Sequence, residues 1–272
     1  MTGARVLADG LRFPEGPAFA PDGSLWGVEL QGGCLFRLDA AGAVVRVPTG
    51  GAPNGLAFDG TGRPWFCDAD RGQIRRLDAD GTARVMADAG DDRPLDRPND
   101  LAFDPAGTLV FTCPGNSRTE PTGTVWARTP DGTVLRVASG LFFPNGLAFT
   151  PDGRELVIAE TYRHRLWRGG WDAVARRWTD PAPWVEVGGP IGPDGMAFLA
   201  GGTLAVAVFG RSRIVLVAPD GRILGGIDVP GERPTNVAFD PAERHGMVVT
   251  EAEQGRLLSF PDVGPGVRLF GR

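Results

Sequence analysis

The chain has no apolar run close to the roughly 18 residues that mark a membrane-spanning helix. Its first residues, "MTGARVLADGLRF", lack the charged and then apolar order of a signal peptide. We therefore expect a cytoplasmic protein that does not associate with membranes.

Cysteine and histidine are both scarce. The three cysteines, Cys34, Cys67 and Cys113, are widely spaced and form no CxxC pair, which argues against a disulfide framework or a zinc cage and predicts reduced thiols. The two histidines, His164 and His245, fall near a predicted strand and in a turn, and we expect both at the surface. A GxSxG nucleophile elbow is also missing, so nothing favours a serine hydrolase of that kind.

A basic excess is absent too. The 33 acidic residues outnumber the 28 basic residues, which gives a formal net charge of −5. A surface that binds nucleic acid needs clustered positive charge, and the arginines are instead scattered along the chain. We therefore expect a small-molecule substrate, no nucleic-acid partner, and a chain that acts as a monomer or a weak homodimer.

Glycine and proline, by contrast, are abundant, with 41 and 24 residues. They separate short apolar runs at regular intervals, which predicts many short strands joined by tight turns. One phrase recurs, as "FPEGPAF" at 13–19, "APNGLAF" at 52–58 and "FPNGLAF" at 143–149. Its copies align on six phenylalanines: Phe19, Phe58, Phe103, Phe149, Phe198 and Phe239.

The repeats lie 39 to 49 residues apart, and most contain four short strand-like runs. Four strands in a unit of this length is typical of a propeller blade. The sequence therefore predicts an all-β, six-bladed β-propeller with four-stranded blades, as a single domain over residues 1–272. The last unit has a weak fourth strand, and residues 4–9 resemble that strand elsewhere, so we expect the N-terminal strand to close the ring. The helix-like stretch 171–178 is predicted to be a decorated turn.

The residue four positions before each repeated phenylalanine should lie at one mouth of the central channel. All six are polar and carry an oxygen: Glu15, Asn54, Asn99, Asn145, Asp194 and Thr235. Turn formation would explain any single copy. A set of six on one axis, including Glu15, which is a poor turn former, favours a metal site instead. Carboxylate and amide oxygens suit a hard cation, and we expect one divalent ion, preferably Ca²⁺, with Mg²⁺, Mn²⁺ or Zn²⁺ as alternatives.

Five ordered motifs resemble those of the senescence-marker-protein (regucalcin) and gluconolactonase family of six-bladed propellers: "FPEGPAF", "DRPNDLAFDPAG", "FPNGLAFTPDG", "GPDGMAF" and "PTNVAF". The resemblance spans essentially the whole chain and implies a metal-dependent hydrolase, acting chiefly on sugar lactones. By this similarity Glu15, Asn145 and Asp194 match the metal ligands. Asn99 matches the remaining polar residue beside the metal, and Arg97 matches a substrate-contacting arginine. Asp194 also matches the carboxylate proposed as the catalytic base.

The third and fourth units carry the expected substrate contacts and the departures from the family. Arg97, Asn99 and Glu120 are the residues that we expect to bind substrate. Glu160 stands where an aspartate is usual, and "TCPGNSR" at 112–118 departs from the acids or hydroxyls common there. We expect these loops to shape the substrate pocket, so the resemblance indicates the metal site better than the substrate.

The sequence thus predicts a hydrolase that opens a lactone, in which the metal polarises the carbonyl and water is activated by Asp194 or by the metal itself. A cation-bound carboxylate is a weak base, which leaves those two choices open. Organophosphate hydrolysis, a biosynthetic rearrangement or cyclisation, and a binding propeller with a structural ion also remain open. Arg97 has an alternative as well, as a surface residue paired with Asp96 or Asp100.

Overall fold

The computed structural model describes residues 3–266, which form six four-stranded antiparallel sheets arranged as the blades of a propeller. The first strand is β1 (Arg5–Ala8). Blade 1 contains β2 (Pro14–Phe19), β3 (Leu25–Glu29), β4 (Cys34–Leu38) and β5 (Val44–Pro48). Blade 2 contains β6 (Pro53–Phe58), β7 (Pro64–Asp68), β8 (Gln73–Leu77) and β9 (Ala83–Ala87). A short hairpin follows, with β10 (Ala89–Gly90) and β11 (Arg93–Pro94).

The remaining blades follow in chain order. Blade 3 contains β12 (Leu101–Phe103), β13 (Leu109–Cys113), β14 (Gly123–Arg128) and β15 (Val134–Leu141). Blade 4 contains β16 (Pro144–Phe149), β17 (Glu155–Glu160), β18 (Arg165–Asp172) and β19 (Arg177–Glu186), with a 3₁₀ helix at Thr161–Arg163. Blade 5 contains β20 (Gly192–Phe198), β21 (Leu204–Phe209), β22 (Arg213–Val217) and β23 (Ile223–Asp228). Blade 6 contains β24 (Pro234–Phe239), β25 (Met247–Glu251) and β26 (Arg256–Phe260).

The ring closes through the N-terminal strand, as predicted. β1 pairs antiparallel with β26, with Arg5 opposite Ser259 and Val6 opposite Leu258. The sheet order β1-β26-β25-β24 makes this early strand the outermost strand of the last blade. The closure ties the start of the chain to its end and covers a sheet edge that would otherwise be unpaired.

The strand order fixes which residues meet at the axis. In every blade the strand that carries the repeated phrase is the first of its sheet, and that strand packs against its counterparts in the neighbouring blades. Since all six strands run in the same direction along the channel, their starting residues gather at one mouth. Their terminal phenylalanines gather at the other. Residues at equivalent positions of the six repeats therefore lie at equivalent places around the central channel.

The core lies between neighbouring blades. Val28 and Leu35 of blade 1 pack with Phe66 of blade 2, and comparable clusters occupy the other blade contacts. Phe66 and Phe111 of second strands and Phe36 of a third strand have no exposed surface. Burying one such side chain contributes roughly 1.5–3 kcal/mol to folding, so the blade contacts hold the ring together.

The stretch 171–178 is a hairpin and contains no helical turn. Trp171 lies opposite Trp178 in the pairing of β18 with β19, and only residues 173–176 form the turn. Across residues 3–266, none of the helices is both long enough and apolar enough to span a bilayer.

Candidate metal and substrate site

The six polar residues predicted from the repeat lie at the start of the innermost strands and are here called the inner ring. Glu15, Asn54, Asn145 and Asp194 are each 6–7% exposed, and Thr235 is fully buried. Asn99 is half-buried, because β12 begins only at Leu101 and the chain before it is irregular. Five of the six residues are thus buried, which argues against the alternative that they are ordinary exposed turn residues.

The pKa values of both acids of the inner ring are raised. Burial raises the pKa of Glu15 well above its usual value, and the nearby carboxylates of Asp194 and Asp100 raise it further. Burial and then the charge of Asp100 raise the pKa of Asp194 in the same way. These shifts place three carboxyl groups close together in a poorly solvated space, which is an unfavourable arrangement unless a cation or protons neutralise them.

Asp100 was not predicted as a site residue. It is 8% exposed, and its burial raises its pKa to about 6. Its side chain accepts hydrogen bonds from the Leu101 amide at 2.8 Å and from the Asn236 side chain at 3.3 Å. The predicted ring contains two acids, Glu15 and Asp194, and the structure brings a third carboxyl group, that of Asp100, to the same place.

Asp100 and Asn236, here called the axial pair, occupy the position directly after the inner ring. The other four copies carry glycine at that position: Gly16, Gly55, Gly146 and Gly195. A Cβ atom on Gly195 would overlap the Asn236 side chain, and one on Gly55 would overlap the Asp100 carboxylate. The glycines leave room for the axial pair, and this pattern was the signal that the sequence offered for Asp100.

The axial pair separates two parts of the central channel. Beyond it lies an apolar cavity of about 160 Å³, lined mainly by the alanine and phenylalanine side chains of the repeated phrase. Asp100 and Asn236 belong to the cavity wall, whereas no inner-ring residue does. The polar mouth and the apolar channel are therefore distinct environments.

Threonine hydroxyls fix the inner ring from one blade to the next. Thr112 donates to the Asn145 carbonyl, Thr161 to the Pro193 carbonyl and Thr235 to the Pro14 carbonyl, each at 2.8 Å. These bonds cross from blade 3 to 4, from 4 to 5 and from 6 to 1. They hold the backbone on which the ring residues are mounted, so the side chains are positioned before any ligand arrives.

The chemistry of the inner ring fits a hard cation. The Asn145 amide nitrogen donates to the Thr161 hydroxyl at 3.2 Å, and the Asn145 side chain also hydrogen-bonds Asp194. These donations orient the amide and leave its oxygen available as a ligand. No three His, Cys, Asp or Glu side chains within residues 3–266 form a metal cluster by themselves. A cation would consequently need the asparagine oxygens together with Glu15 and Asp194.

Asn99 belongs to the inner ring, whereas the other two predicted substrate contacts lie outside it. Arg97 and Glu120 are both exposed, Arg97 in the loop before blade 3 and Glu120 in the loop after β13. Within the described chain neither side chain forms an ion pair, so the expected alternative of Arg97 paired with Asp96 or Asp100 does not occur there. Arg97 has a φ of 52°, a left-handed conformation that is uncommon for a long side chain.

Glu160 has a structural role that the sequence analysis did not anticipate. It is 1% exposed and accepts hydrogen bonds from the Phe142 amide at 2.8 Å and from the Trp167 ring nitrogen at 2.7 Å. It also pairs with Arg165. Glu160 thus anchors the loop that leads into blade 4 and does not line the substrate pocket.

The remaining candidates are not suited to catalysis. All three cysteines are free, as predicted, and all three are buried, which raises the pKa of the Cys34 thiol to about 11. His164 is half-buried rather than exposed, and its Nδ1 has no hydrogen-bond partner among the described residues. His245 is also half-buried and stacks on Phe19 at the opposite mouth.

The fold and the inner ring define a six-bladed propeller with an oxygen-rich site at one mouth. Residues 13–253 match the SMP-30/gluconolactonase/LRE-like family, and the chain belongs to that family.

Two curated relatives and one solved structure are similar over most of their length. Diisopropyl-fluorophosphatase of Loligo vulgaris is 30% identical over 90% of this chain and 88% of its own. Pentonolactonase XacC of Haloferax volcanii is 31% identical over 93% of this chain and 86% of its own. The structure of a gluconolactonase from Xanthomonas campestris has a TM-score of 0.84 and 28% identity, and the similarity covers 95% of this chain and 89% of that one.

Proposed function

We propose that this protein is a divalent-cation-dependent hydrolase that opens lactones. The observation that carries the proposal is the buried inner ring, in which Glu15 and Asp194 lie close together among amide oxygens at the channel mouth. The names of the relatives support the reaction class, because two of the three are lactonases. The curated relatives correspond to nearly the whole chain, so the similarity includes the complete ring of blades.

Four residues would hold the cation: Glu15, Asn99, Asn145 and Asp194. Their oxygens are hard ligands, for which Ca²⁺ is the best fit and Mg²⁺, Mn²⁺ or Zn²⁺ are alternatives. When bound, the cation supplies positive charge that polarises the lactone carbonyl and stabilises negative charge on its oxygen.

Asp194 is the residue that we assign as general base. It accepts a proton from the attacking water, whose oxygen joins the carbonyl carbon while the ring C–O bond breaks. The departing alkoxide takes up a proton, and the product is a hydroxy acid. Burial and the Asp100 charge raise the pKa of Asp194, which strengthens it as a base, whereas a bound cation acts in the opposite direction.

Arg97 and Glu120 are the proposed substrate contacts around this centre. Both side chains are exposed at the mouth and free of ion pairs within residues 3–266, so their hydrogen-bonding groups are available. A guanidinium group can donate paired hydrogen bonds to hydroxyl or carboxylate oxygens of a substrate.

A panel of lactones tests the proposal. The protein is first stripped with a chelator and then assayed with Ca²⁺, Mg²⁺, Mn²⁺ or Zn²⁺ added singly. We expect hydrolysis of at least one lactone, its loss after chelation, and its return with one of the ions. Turnover that persists unchanged in excess chelator would exclude the cation, and the absence of turnover across the panel would exclude lactone hydrolysis.

Organophosphate hydrolysis is the second candidate, because one relative is named diisopropyl-fluorophosphatase. The same polarising centre would then act on a P=O group, with water displacing the leaving group at phosphorus. Diisopropyl fluorophosphate assayed beside the lactone panel separates the two: the better substrate is the one with the higher kcat/KM relative to its uncatalysed rate.

A further inference from the structure

A second set of residues lies one step outward from the inner ring. These residues precede the inner ring by two positions and are here called the outer tier: Phe13, Ala52, Arg97, Phe143, Gly192 and Arg233. Since they occupy equivalent positions in the six blades, they surround the path that a substrate takes to Glu15 and Asp194. Their side chains therefore decide what the mouth accepts.

Three members of the outer tier have a backbone that bulky residues avoid. Phe13, Arg97 and Phe143 have φ values of 57°, 52° and 58°. The left-handed region is unfavourable for residues with large side chains, and such strain tends to be retained where function requires it. Glycine would fit these positions without strain, yet two of them carry phenylalanine.

The first aromatic wall stands beside Asn145. Phe143 contacts Tyr162 edge to face, with ring centroids 5.3 Å apart and planes at 72°. The Arg118 guanidinium lies 5.7 Å from the Phe143 ring and 5.5 Å from the Tyr162 ring. Thr161, the neighbour of Tyr162, hydrogen-bonds the Asn145 side chain. The wall is thus attached directly to one expected cation ligand.

The second aromatic wall is formed by residues of blades 5, 6 and 1. Phe13 and Phe209 stack with ring centroids 6.3 Å apart and planes at 26°. The Arg233 guanidinium lies 5.9 Å from the Phe209 ring. Phe209 pairs across the sheet with Gly192, which is two residues before Asp194. This wall is therefore attached to the strand that carries Asp194.

The two walls are neighbours around the mouth, because a Cβ atom on Gly192 of the second wall would overlap the Thr161 carbonyl of the first. The first wall belongs to blades 3 and 4, and the second belongs to blades 5, 6 and 1. On the blade 2 side, the loop at 50–52 contains only glycine and alanine, which leaves that side open. All four aromatic side chains are half-buried, so part of each remains accessible from the mouth.

The arginines of the two walls contact aromatic rings. Acidic residues neighbour them in the sequence, with Asp96 before Arg97, Glu120 near Arg118 and Glu232 before Arg233. Within residues 3–266, however, none of these arginines forms an ion pair with its acidic neighbour. Arg118 and Arg233 instead lie against aromatic rings, an arrangement that extends a flat surface and favours stacking with a planar group.

We infer that the site prefers lactones that carry a planar apolar group, such as a fused aromatic ring, over polyhydroxylated lactones. The walls offer flat apolar surface at the outer tier, just outside the inner ring. A planar substituent next to the reacting carbonyl would lie against this surface. A polyhydroxylated ring would place the hydroxyl groups on its wall-facing side against aromatic carbon, where they lose hydrogen bonds to water, and only those within reach of Arg97 or Glu120 would regain a partner. The inference rests on the proposed lactonase function and names its substrate class.

The test compares dihydrocoumarin, an aryl lactone, with δ-gluconolactone. The measured quantity is the ratio of their kcat/KM values in each variant relative to wild type, because the two lactones differ in intrinsic reactivity. Phe143→Gly removes one wall and relieves the left-handed backbone, and Tyr162→Leu removes the aromatic partner from a different backbone position. We expect each variant to lower the ratio about tenfold, mainly through the KM of dihydrocoumarin.

Phe58→Leu is the matched control. Phe58 is also half-buried and packs edge to face with Trp26 at 6.0 Å, with Arg37 over the Trp26 ring at 5.9 Å, but it lies at the opposite mouth. The ratio of the two kcat/KM values in Phe58→Leu should equal that of wild type. An unchanged ratio in both Phe143→Gly and Tyr162→Leu, or an equal fall in the control, would overturn the inference while leaving lactonase activity in place.

If no lactone is hydrolysed, the binding of unreactive lactams tests the inference. 3,4-Dihydro-2-quinolinone and gluconolactam, the lactams of the two substrates, are titrated calorimetrically into protein that contains Ca²⁺. Tighter binding of the aryl lactam to wild type, weakened about tenfold in Phe143→Gly, would support the inference even though the proposed reaction had failed. Equal binding of the two lactams, or no effect of the substitution, would overturn it.

Discussion

The Asn236 side chain donates a hydrogen bond of 3.3 Å to the Asp100 carboxylate from the opposite side of the ring. The two residues belong to blades 6 and 3, which are three blades apart, and they are 136 positions apart in the chain. The contact exists only because the ring closes. It also places a carboxyl group with a raised pKa directly beneath Glu15 and Asp194.

Asp100 should make the metal-free protein less stable as the pH rises from about 4 to about 6. Its pKa is raised from 3.8 to about 6 on folding, mainly by burial, so the folded state favours the protonated group. The contribution is therefore fully present below pH 4 and lost above pH 6, and the difference corresponds to about 3 kcal/mol. Thermal melting in chelator across this pH range measures it, and Asp100→Asn should reduce the slope but not abolish it, because the pKa values of Glu15 and Asp194 are raised as well.

The exposed Asp131 supplies the control for that experiment. Hydrogen bonds from Thr129 and Thr133 lower its pKa, so it titrates below the pH range tested. Asp131→Asn should keep the wild-type slope. An Asp100→Asn protein whose melting temperature still falls as steeply as wild type would assign the pH dependence to other groups.

Gly195→Ala should destabilise the fold by roughly 1–3 kcal/mol, because the new methyl group would overlap the Asn236 side chain and break the axial pair. Gly201→Ala is the matched control, since a Cβ atom there meets nothing within 4 Å. Denaturant unfolding of both proteins gives the comparison. Equal stability of the two variants would mean that the axial pair moves aside without loss.

Removing residues 1–9 should lower the melting temperature by more than about 5 °C, although no inner-ring residue is lost. The deletion takes away β1, which pairs with β26 and covers the edge of blade 6. A chain that lacks only residues 1–3 retains β1 and serves as the control. A truncated protein that melts within a degree of the control would contradict the view that closure through β1 stabilises the ring.

The fold could be predicted from the sequence because each copy of the repeat corresponds to one blade. Each copy of the phrase gives an innermost strand, and "ARVLADG" at 4–10 was recognisable as a displaced outer strand. The axial pair was harder to predict, because it requires knowing that blades 3 and 6 face each other. The aromatic walls were missed for the same reason: Phe13 and Phe209 are 196 positions apart and meet only across the closed ring.

Arg97→Ala should raise KM for the best lactone, or narrow the range of lactones accepted, while metal affinity stays near wild type. Arg97 is exposed two residues before Asn99 and is not part of the buried inner ring. Kinetics and calorimetric titration of Ca²⁺ on the same preparation test both halves. A large loss of Ca²⁺ affinity would show that Arg97 organises the ring, and unchanged kinetics would show that it does not contact the substrate.

Asp194→Asn should weaken cation binding and lower kcat by roughly two orders of magnitude or more, since it removes one carboxylate ligand and the assigned base. Glu15→Gln separates these two effects. It removes the other ring carboxylate and keeps the shape of the side chain, so we expect weaker cation binding and a kcat that largely recovers at saturating Ca²⁺. The kcat of Asp194→Asn should remain low at the same saturation. Recovery of both variants would assign Asp194 to cation binding alone, because a missing base cannot be replaced by more Ca²⁺.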